Sequence, residues 1–270
     1  MITIYHFKEI AMKKILTSLL LTAALAVSMF AVTANAAEGG KAYGKVPATD
    51  TKITVDGKKD AIYDKGLKVA INVTTDSCPS TAEAYLLWNG KDTIYIYAPI
   101  KDATPQKITP ANAWTCDSLE VFLDYSNKVA RTRDQYRIDI MNTATYYDTK
   151  TYTGAETKAF GFENWAVTDI DGGYALEFEI KAYKEAVSAN MNVGFHLMLN
   201  DLLADGKTRK MAHSDACGND PKKFGYITLS GDKVVIEAPK ASASTFDPAI
   251  LAVVSLASAA GAAFVSKKRK

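Results

Sequence analysis

Cysteine, histidine and tryptophan occur only three times each in the 270 residues, beside 8 Pro and 16 Gly. So little cysteine excludes a disulfide-stapled miniprotein, and so little glycine and proline excludes collagen-like or low-complexity chains. An excess of one charge is also missing. The formal net charge is +2, but the leader (residues 1–36) carries +2 and the last four residues +4, which leaves the body at −4. A mildly acidic body without a basic stripe excludes nucleic acid as partner, because phosphates must be met by Lys or Arg. There is no Gly-x-Ser-x-Gly elbow, so no serine-hydrolase signature is present. His6 lies in the leader, His196 on the polar phase of a strand and His213 in an expected loop. None belongs to a ligand-spaced cluster, and the last two read as ordinary surface or site-lining residues.

Long apolar runs are confined to the two ends. Lys13 and Lys14 precede an apolar run from Ile15 to Val32, followed by Ala34-Asn35-Ala36 with small residues suited to cleavage. Residues 1–36 are therefore expected to be a secretory signal peptide, with a membrane anchor as the alternative. Met12 opens a more ordinary signal than Met1, which marks it as a candidate true start. At the other end Pro248 to Val265 holds eighteen residues without a charge, followed by Ser266 and the basic tail Lys267–Lys270. Eighteen residues at helical rise span ~27 Å, enough for a hydrocarbon core. A transmembrane helix over 248–266 with the basic tail 267–270 in the cytoplasm fits the positive-inside rule. Its Ala and Ser content leaves a buried amphipathic helix as the alternative. Residues 232–247, rich in Ala, Ser, Pro and Lys, read as an extended spacer. The expectation is an exported protein, anchored in the membrane and displayed on the cell surface.

Between residues 46 and 231 apolar residues alternate with period two. Ile94, Ile96, Ala98 and Ile100 share one face; Leu119, Val121 and Leu123 another; Tyr136, Ile138 and Ile140 a third. Tyr174, Leu176, Phe178 and Ile180, then Val193, Phe195, Leu197 and Leu199, continue the series. Turn pairs such as Asn89-Gly90, Asp171-Gly172-Gly173, Asp205-Gly206 and Ser230-Gly231 separate the runs. The fold class expected is all-β, an antiparallel, jelly-roll-like β-sandwich.

Glycoside hydrolysis needs two carboxyl groups facing each other. Glu120 and Asp124 share a strand face but lie ~13 Å apart, too far for either stereochemical course. Trp114 in a loop, Glu120 on the next strand and Arg137 on the polar phase of the one after it form a different set. An aromatic face beside charged hydrogen-bonding groups suits a sugar ring. The same residues also fit a Trp capping the core beside a Glu–Arg ion pair.

Further sequence features specify the first reading. Ile53-Thr-Val-Asp-Gly-Lys-Lys-Asp-Ala-Ile-Tyr63, Ala84-Tyr-Leu-Leu-Trp88, Ile94-Tyr-Ile-Tyr97 and Lys101-Asp102 occur in that order. They are followed by Trp114-Thr-Cys-Asp-Ser-Leu-Glu-Val-Phe-Leu-Asp124, Gln135-Tyr-Arg137, Gly173-Tyr-Ala-Leu-Glu-Phe-Glu-Ile180, Gly194-Phe-His-Leu-Met-Leu-Asn-Asp201 and Asp220-Pro-Lys-Lys-Phe-Gly225. Across residues 50–230 this series resembles the family 9 carbohydrate-binding modules, the xylanase-associated sandwiches. The resemblance implies a non-catalytic module for glucan or xylan chain ends and for cello- or xylo-oligosaccharides. It further implies that Trp114, Glu120 and Arg137 bind the sugar. The family's second Trp should precede Asp220-Pro221, where this chain has Cys217-Gly218-Asn219; Tyr146 or Tyr147 is the candidate replacement. Tyr63 stands where the family has another Trp. Calcium, which family members carry structurally, is a possible cofactor. Asp56, Asp60, Asp102 and Asp117 are carboxylates of the right type, with the ligands unassigned. Cys78, Cys116 and Cys217 leave a Cys116–Cys217 bridge or three thiols as alternatives. The partners expected are poly- or oligosaccharide, the membrane and surface glycoside hydrolases. The rival functions are a structural or adhesive surface protein with a degenerate site, or an accessory subunit of a surface hydrolase or transport system.

Overall fold

The computed structural model describes residues 40–74, 76–108, 114–125, 134–148, 161–182, 186–206, 208–215 and 223–236. The expected signal peptide, the membrane span, the basic tail, most of the spacer and Cys217 lie outside them. The described residues up to Val235 belong to one compact unit, and Ile236 is the one described residue of a second. Among the described residues no helix is long and apolar enough to cross a membrane.

The body is a β-sandwich. Its thirteen described strands are β1 (Ala42–Ala48), β2 (Leu67–Ile71), β3 (Val73–Thr74), β4 (Thr81–Trp88), β5 (Thr93–Lys101), β6 (Ser118–Asp124), β7 (Asp134–Asp139), β8 (Ala144–Asp148), β9 (Phe162–Ile170), β10 (Gly173–Lys181), β11 (Asn192–Leu202), β12 (Arg209–His213) and β13 (Gly225–Lys233). One turn of 3-10 helix, Ala61–Lys65, lies between β1 and β2. The hydrogen-bonded order runs β8-β7-β6-β11-β13-β1-β4-β5-β10-β9. β12 pairs with β11 and β3, and β2 pairs with β4. The apolar phases identified above all face the shared core: Leu119, Val121 and Leu123 from one half pack with Ile94, Ile96, Leu176 and Phe178 from the other. Phe162 on the edge strand β9 stacks on Phe178 at 5.7 Å and meets Tyr136 of β7 edge-on at 5.5 Å. Trp88 is buried, and its indole N–H donates to the Ser230 carbonyl at 2.8 Å, tying β4 to β13.

The pairing departs from a purely antiparallel sandwich at one place. β1 and β13 run parallel, from Ala42↔Tyr226 to Val46↔Leu229, and β1 meets β4 at the single parallel bridge Ala48↔Trp88. Period-two alternation sets which face a side chain takes but not the direction of the neighbouring strand. Strands so far apart in sequence need no hairpin, so either direction is open to them. The strands also extend beyond the expected 46–231, starting at Ala42 and ending at Lys233.

Two turns show how short polar sequences position the strands. In the β4–β5 hairpin Asn89 Oδ1 accepts the N–H groups of Lys91, Asp92 and Thr93, and Gly90 takes φ of 74°, which an L side chain disfavours. Gly57, at φ 79°, lets the Asp56-Gly57 turn point its two N–H groups at the Glu177 carboxylate, at 3.0 and 2.9 Å. Tyr63 donates its hydroxyl to the same carboxylate at 2.9 Å, so this N-terminal segment is fastened to β10 through one buried acid.

Candidate functional site

Strand register collects the candidate residues on the outward face of one half of the sandwich. Glu120 on β6 stands opposite Arg137 on β7 and Met198 on β11; Asn200 stands opposite Ser118 and Met211, and Tyr147 on β8 opposite Gln135. Directly opposed residues share a face, so these side chains converge.

Glu120 and Arg137 are 1% and 2% exposed, far below the surface exposure an ordinary ion pair would have. Glu120 Oε1 accepts Asn200 Nδ2 at 2.9 Å and lies 3.8 Å from Arg137 Nη1, while Oε2 accepts Gln135 Nε2 at 2.5 Å. Burial raises the Glu120 pKa, and Arg137, Asn200, Arg209 and Gln135 act against that rise. Arg137 Nη2 donates to the Tyr147 hydroxyl at 2.5 Å, and its guanidinium carbon sits 5.0 Å from the Tyr147 ring centre. Trp114, 50% exposed just before β6, is the large aromatic left facing solvent among the described residues. Arg209 of β12 donates to the Trp114 carbonyl and, at 3.1 Å, to Met211 Sδ.

Of the expected site residues, Glu120, Arg137 and Tyr147 come together, and Trp114 is linked to them through Arg209. Tyr146 does not join them. It is 1% exposed on the core side, packs against Tyr136 at 5.3 Å and gives its hydroxyl to Asp134. Alternation along β8 forces this: if Tyr147 faces outward with Arg137, its neighbour must face inward. Asn200, Gln135, Arg209 and Met211 escaped the sequence reading. The signal for Asn200 was a polar residue, like His196, on the outward phase of a strand whose inward phase is apolar; β12 is too short and too mixed to give one.

His196 and His213 correct another expectation. Both are buried, and His213 belongs to β12 rather than a loop. The rings stack at 5.4 Å, with His196 Nε2 3.3 Å from His213 Nδ1 and His196 Nδ1 3.2 Å from Ser214 Oγ. Phe224 stacks on His196, and burial lowers the His213 pKa against the opposing pull of Asp76. The outward face of β11 is thus covered here, and its polar phase does not mean solvent.

Asp102, Asp117 and Asp201 are all buried, with carboxylate oxygens within 4.8 Å of one another. Asp117 accepts the backbone N–H groups of Gln106 and Leu202, and Asp102 that of Thr104. Among the described residues Asp102 Oδ2 and Asp201 Oδ1 have no hydrogen-bond partner. Burial pushes the Asp117 carboxyl up to about 6. Three buried acids, two of them with an unpartnered oxygen, fit a hard cation such as calcium. Asp56 and Asp60 lie elsewhere: they accept the Lys58 and Thr54 N–H groups in the exposed loop before the 3-10 turn. Cys78 borders the triad, its thiol 3.7 Å from Asp201 Oδ2 and pushed up to about 12 by burial. The Cys116 thiol, also buried, is pushed up to about 11; the Cys116–Cys217 pairing falls outside the described residues.

Comparison with known proteins then fixes the family. The profile described as "Carbohydrate family 9 binding domain-like" matches residues 55–232, about two thirds of the chain. The chain belongs to this family. Its family 9 domain is 30% identical over 186 residues to endo-1,4-beta-xylanase A of Thermotoga neapolitana, and 31% identical over 186 residues to endo-1,4-beta-xylanase C of Paenibacillus barcinonensis. These alignments cover 65% of this chain but only 17% and 16% of the xylanases, so the chain spans about a sixth of their length. A family 9 module from Caldicellulosiruptor kristjanssonii in complex with cellotriose superposes with a TM-score of 0.58 at 20% identity, covering 72% of this chain and all of that one. A putative carbohydrate-binding protein from Bacteroides uniformis gives 0.52 at 10% identity, over 71% and 99% of the two chains. At these identities the likeness concerns the fold. The family 9 domain is a binding module, and the sandwich face just described brings Glu120, Arg137, Asn200 and Tyr147 together.

Proposed function

We propose that this protein is a non-catalytic, cell-surface carbohydrate-binding protein that holds glucan or xylan chains, or their ends, on the face formed by Trp114, Glu120, Arg137 and Tyr147. The observation that carries the reading is Arg137: a buried guanidinium tied to Glu120 and Tyr147, on a face where Arg209 holds the carbonyl of a half-exposed Trp114. A structural ion pair needs no aromatic kept in water. A sugar does, because its C–H face stacks on the ring while its hydroxyls meet the charged pair. The cellotriose-bound neighbour supports an oligosaccharide ligand. Replacing Trp114 with Ala is expected to weaken cellotriose binding about 5- to 150-fold, the worth of one stacking wall by analogy with bases on aromatics. The midpoint of thermal unfolding should stay put, since the side chain is half exposed. Equal calorimetric affinities for the two proteins would move the site elsewhere.

Calcium belongs to the same proposal, as a structural ion held by Asp102, Asp117 and Asp201. It would neutralise three buried carboxylates and brace the loops that lead into β6 and out of β11. Millimolar calcium is therefore expected to raise the unfolding midpoint of chelator-treated protein, and Asp201→Asn to abolish the rise. Identical melting curves with calcium and with chelator would remove the ion from the account.

A further inference from the structure

The two guanidiniums of the sugar face have donors that the acids around them do not take up. Arg137 and Arg209 both act on Glu120, yet Glu120 already accepts Asn200 and Gln135 on its two oxygens. Arg137, though 2% exposed, donates among the described residues only to Tyr147; its nearest approach to Glu120 is 3.8 Å, beyond hydrogen-bond reach. Arg209 donates to a carbonyl and a thioether, and among the described residues no carboxylate lies within ion-pair distance of it. Neighbouring acids are engaged elsewhere. Asp139, on the same face of β7, accepts the Met141 and Thr143 N–H groups, and Asp76 accepts that of Met211. Two guanidiniums with donors to give, one exposed Trp and carboxylates already occupied make a face short of free acceptors. A neutral sugar hydroxyl answers that need weakly; a carboxylate answers it with charge-assisted, two-pronged hydrogen bonds.

We infer that this site, taken as the carbohydrate site proposed above, prefers sugars bearing a carboxylate, namely uronic acids or chains decorated with them, and that Arg209 is the residue that reads the acid group. Its position suits the role. The donation to the Trp114 carbonyl places the guanidinium beside the backbone of the stacking residue, so an acid on a ring lying against Trp114 falls within its reach. The contact with Met211 Sδ, a weak acceptor, is readily exchanged for a carboxylate.

The test titrates the full chain with D-glucuronate against D-glucose, and with methylglucuronosyl-xylotriose against xylotriose, at low and high salt. The acidic member of each pair is expected to bind on the order of tenfold tighter at low salt, with the preference shrinking as salt screens it. Arg209→Gln should erase the preference, so that the acidic and neutral members of each pair bind that variant equally, whatever affinity they then share. Lys210→Gln, the neighbouring cation on the opposite phase of β12, should change neither. Neutral and acidic sugars bound equally by the native chain, or a preference that survives Arg209→Gln, would overturn the inference while leaving the carbohydrate reading intact. No binding of either member of either pair would remove both.

Discussion

Arg137→Met is expected to lower the unfolding free energy by about 3 kcal/mol, the size of effect seen when one partner of a buried ion pair is removed. The cost comes from what is left behind. Glu120 is 1% exposed, and without Arg137 its charge depends on Asn200, Gln135 and the more distant Arg209. Adding Glu120→Gln should therefore restore most of the loss, because the amide oxygen accepts from Asn200 while its NH2 donates to a turned Gln135 amide, with no buried charge. Sugar binding should be absent from both the single and the double variant. Urea unfolding of the four proteins of the cycle checks the stability half, and calorimetry the binding half. Stability unchanged within 1 kcal/mol in Arg137→Met would mean that the pair is not the electrostatic unit described.

Glu177 should give the body a pH-dependent stability. Its carboxylate accepts Asp56 N–H, Gly57 N–H and the Tyr63 hydroxyl, all of which favour the ionised form. Burial outweighs them and pushes the carboxyl from the usual range up to about 7. A folded pKa above the unfolded one means that the native state holds the proton more tightly. The contribution is fully present below about pH 4.5 and is lost as pH rises through about 7, on the order of 3 kcal/mol in all. Other buried acids titrate nearby, so the informative quantity is the difference between native protein and Glu177→Gln, measured by urea unfolding from pH 4.5 to 8. That difference should fall away as pH rises. A difference independent of pH would show that Glu177 stays ionised throughout and that its three donors win over burial.

Much of this fold was legible because one physical rule governs it. Where a strand is buried on one side, its apolar residues must alternate, and Leu119-Val121-Leu123 and Val193-Phe195-Leu197-Leu199 point inward as the sequence implied. The same rule set Glu120 and Arg137 on outward phases. It did not supply the register that makes them neighbours, which came from the ordered family resemblance. The rule also failed where its premise failed. His196 lies on an outward phase, yet Phe224 and His213 cover it, so polarity there marks a second buried layer. Tyr146 and Tyr147 could be told apart only once the neighbouring Ala144 and Thr145 were placed by pairing with Ile138 and Arg137. Asp102 and Asp117 were among the candidate carboxylates, but their grouping with Asp201 escaped because the three come from separate strand ends, joined by the closure of the sandwich and not by any spacing along the chain. The parallel β1–β13 pair escaped for the same reason.

The central claim is an oligosaccharide site on the Trp114–Arg137 face, and calorimetric titration of the full chain with cellobiose, xylobiose and their borohydride-reduced alditols tests it most directly. Saturable heat with at least one disaccharide is the predicted result, and its loss on reduction would identify the chain end as the part held. The absence of heat with every one of these sugars, together with no retention on insoluble cellulose or xylan, would contradict the account.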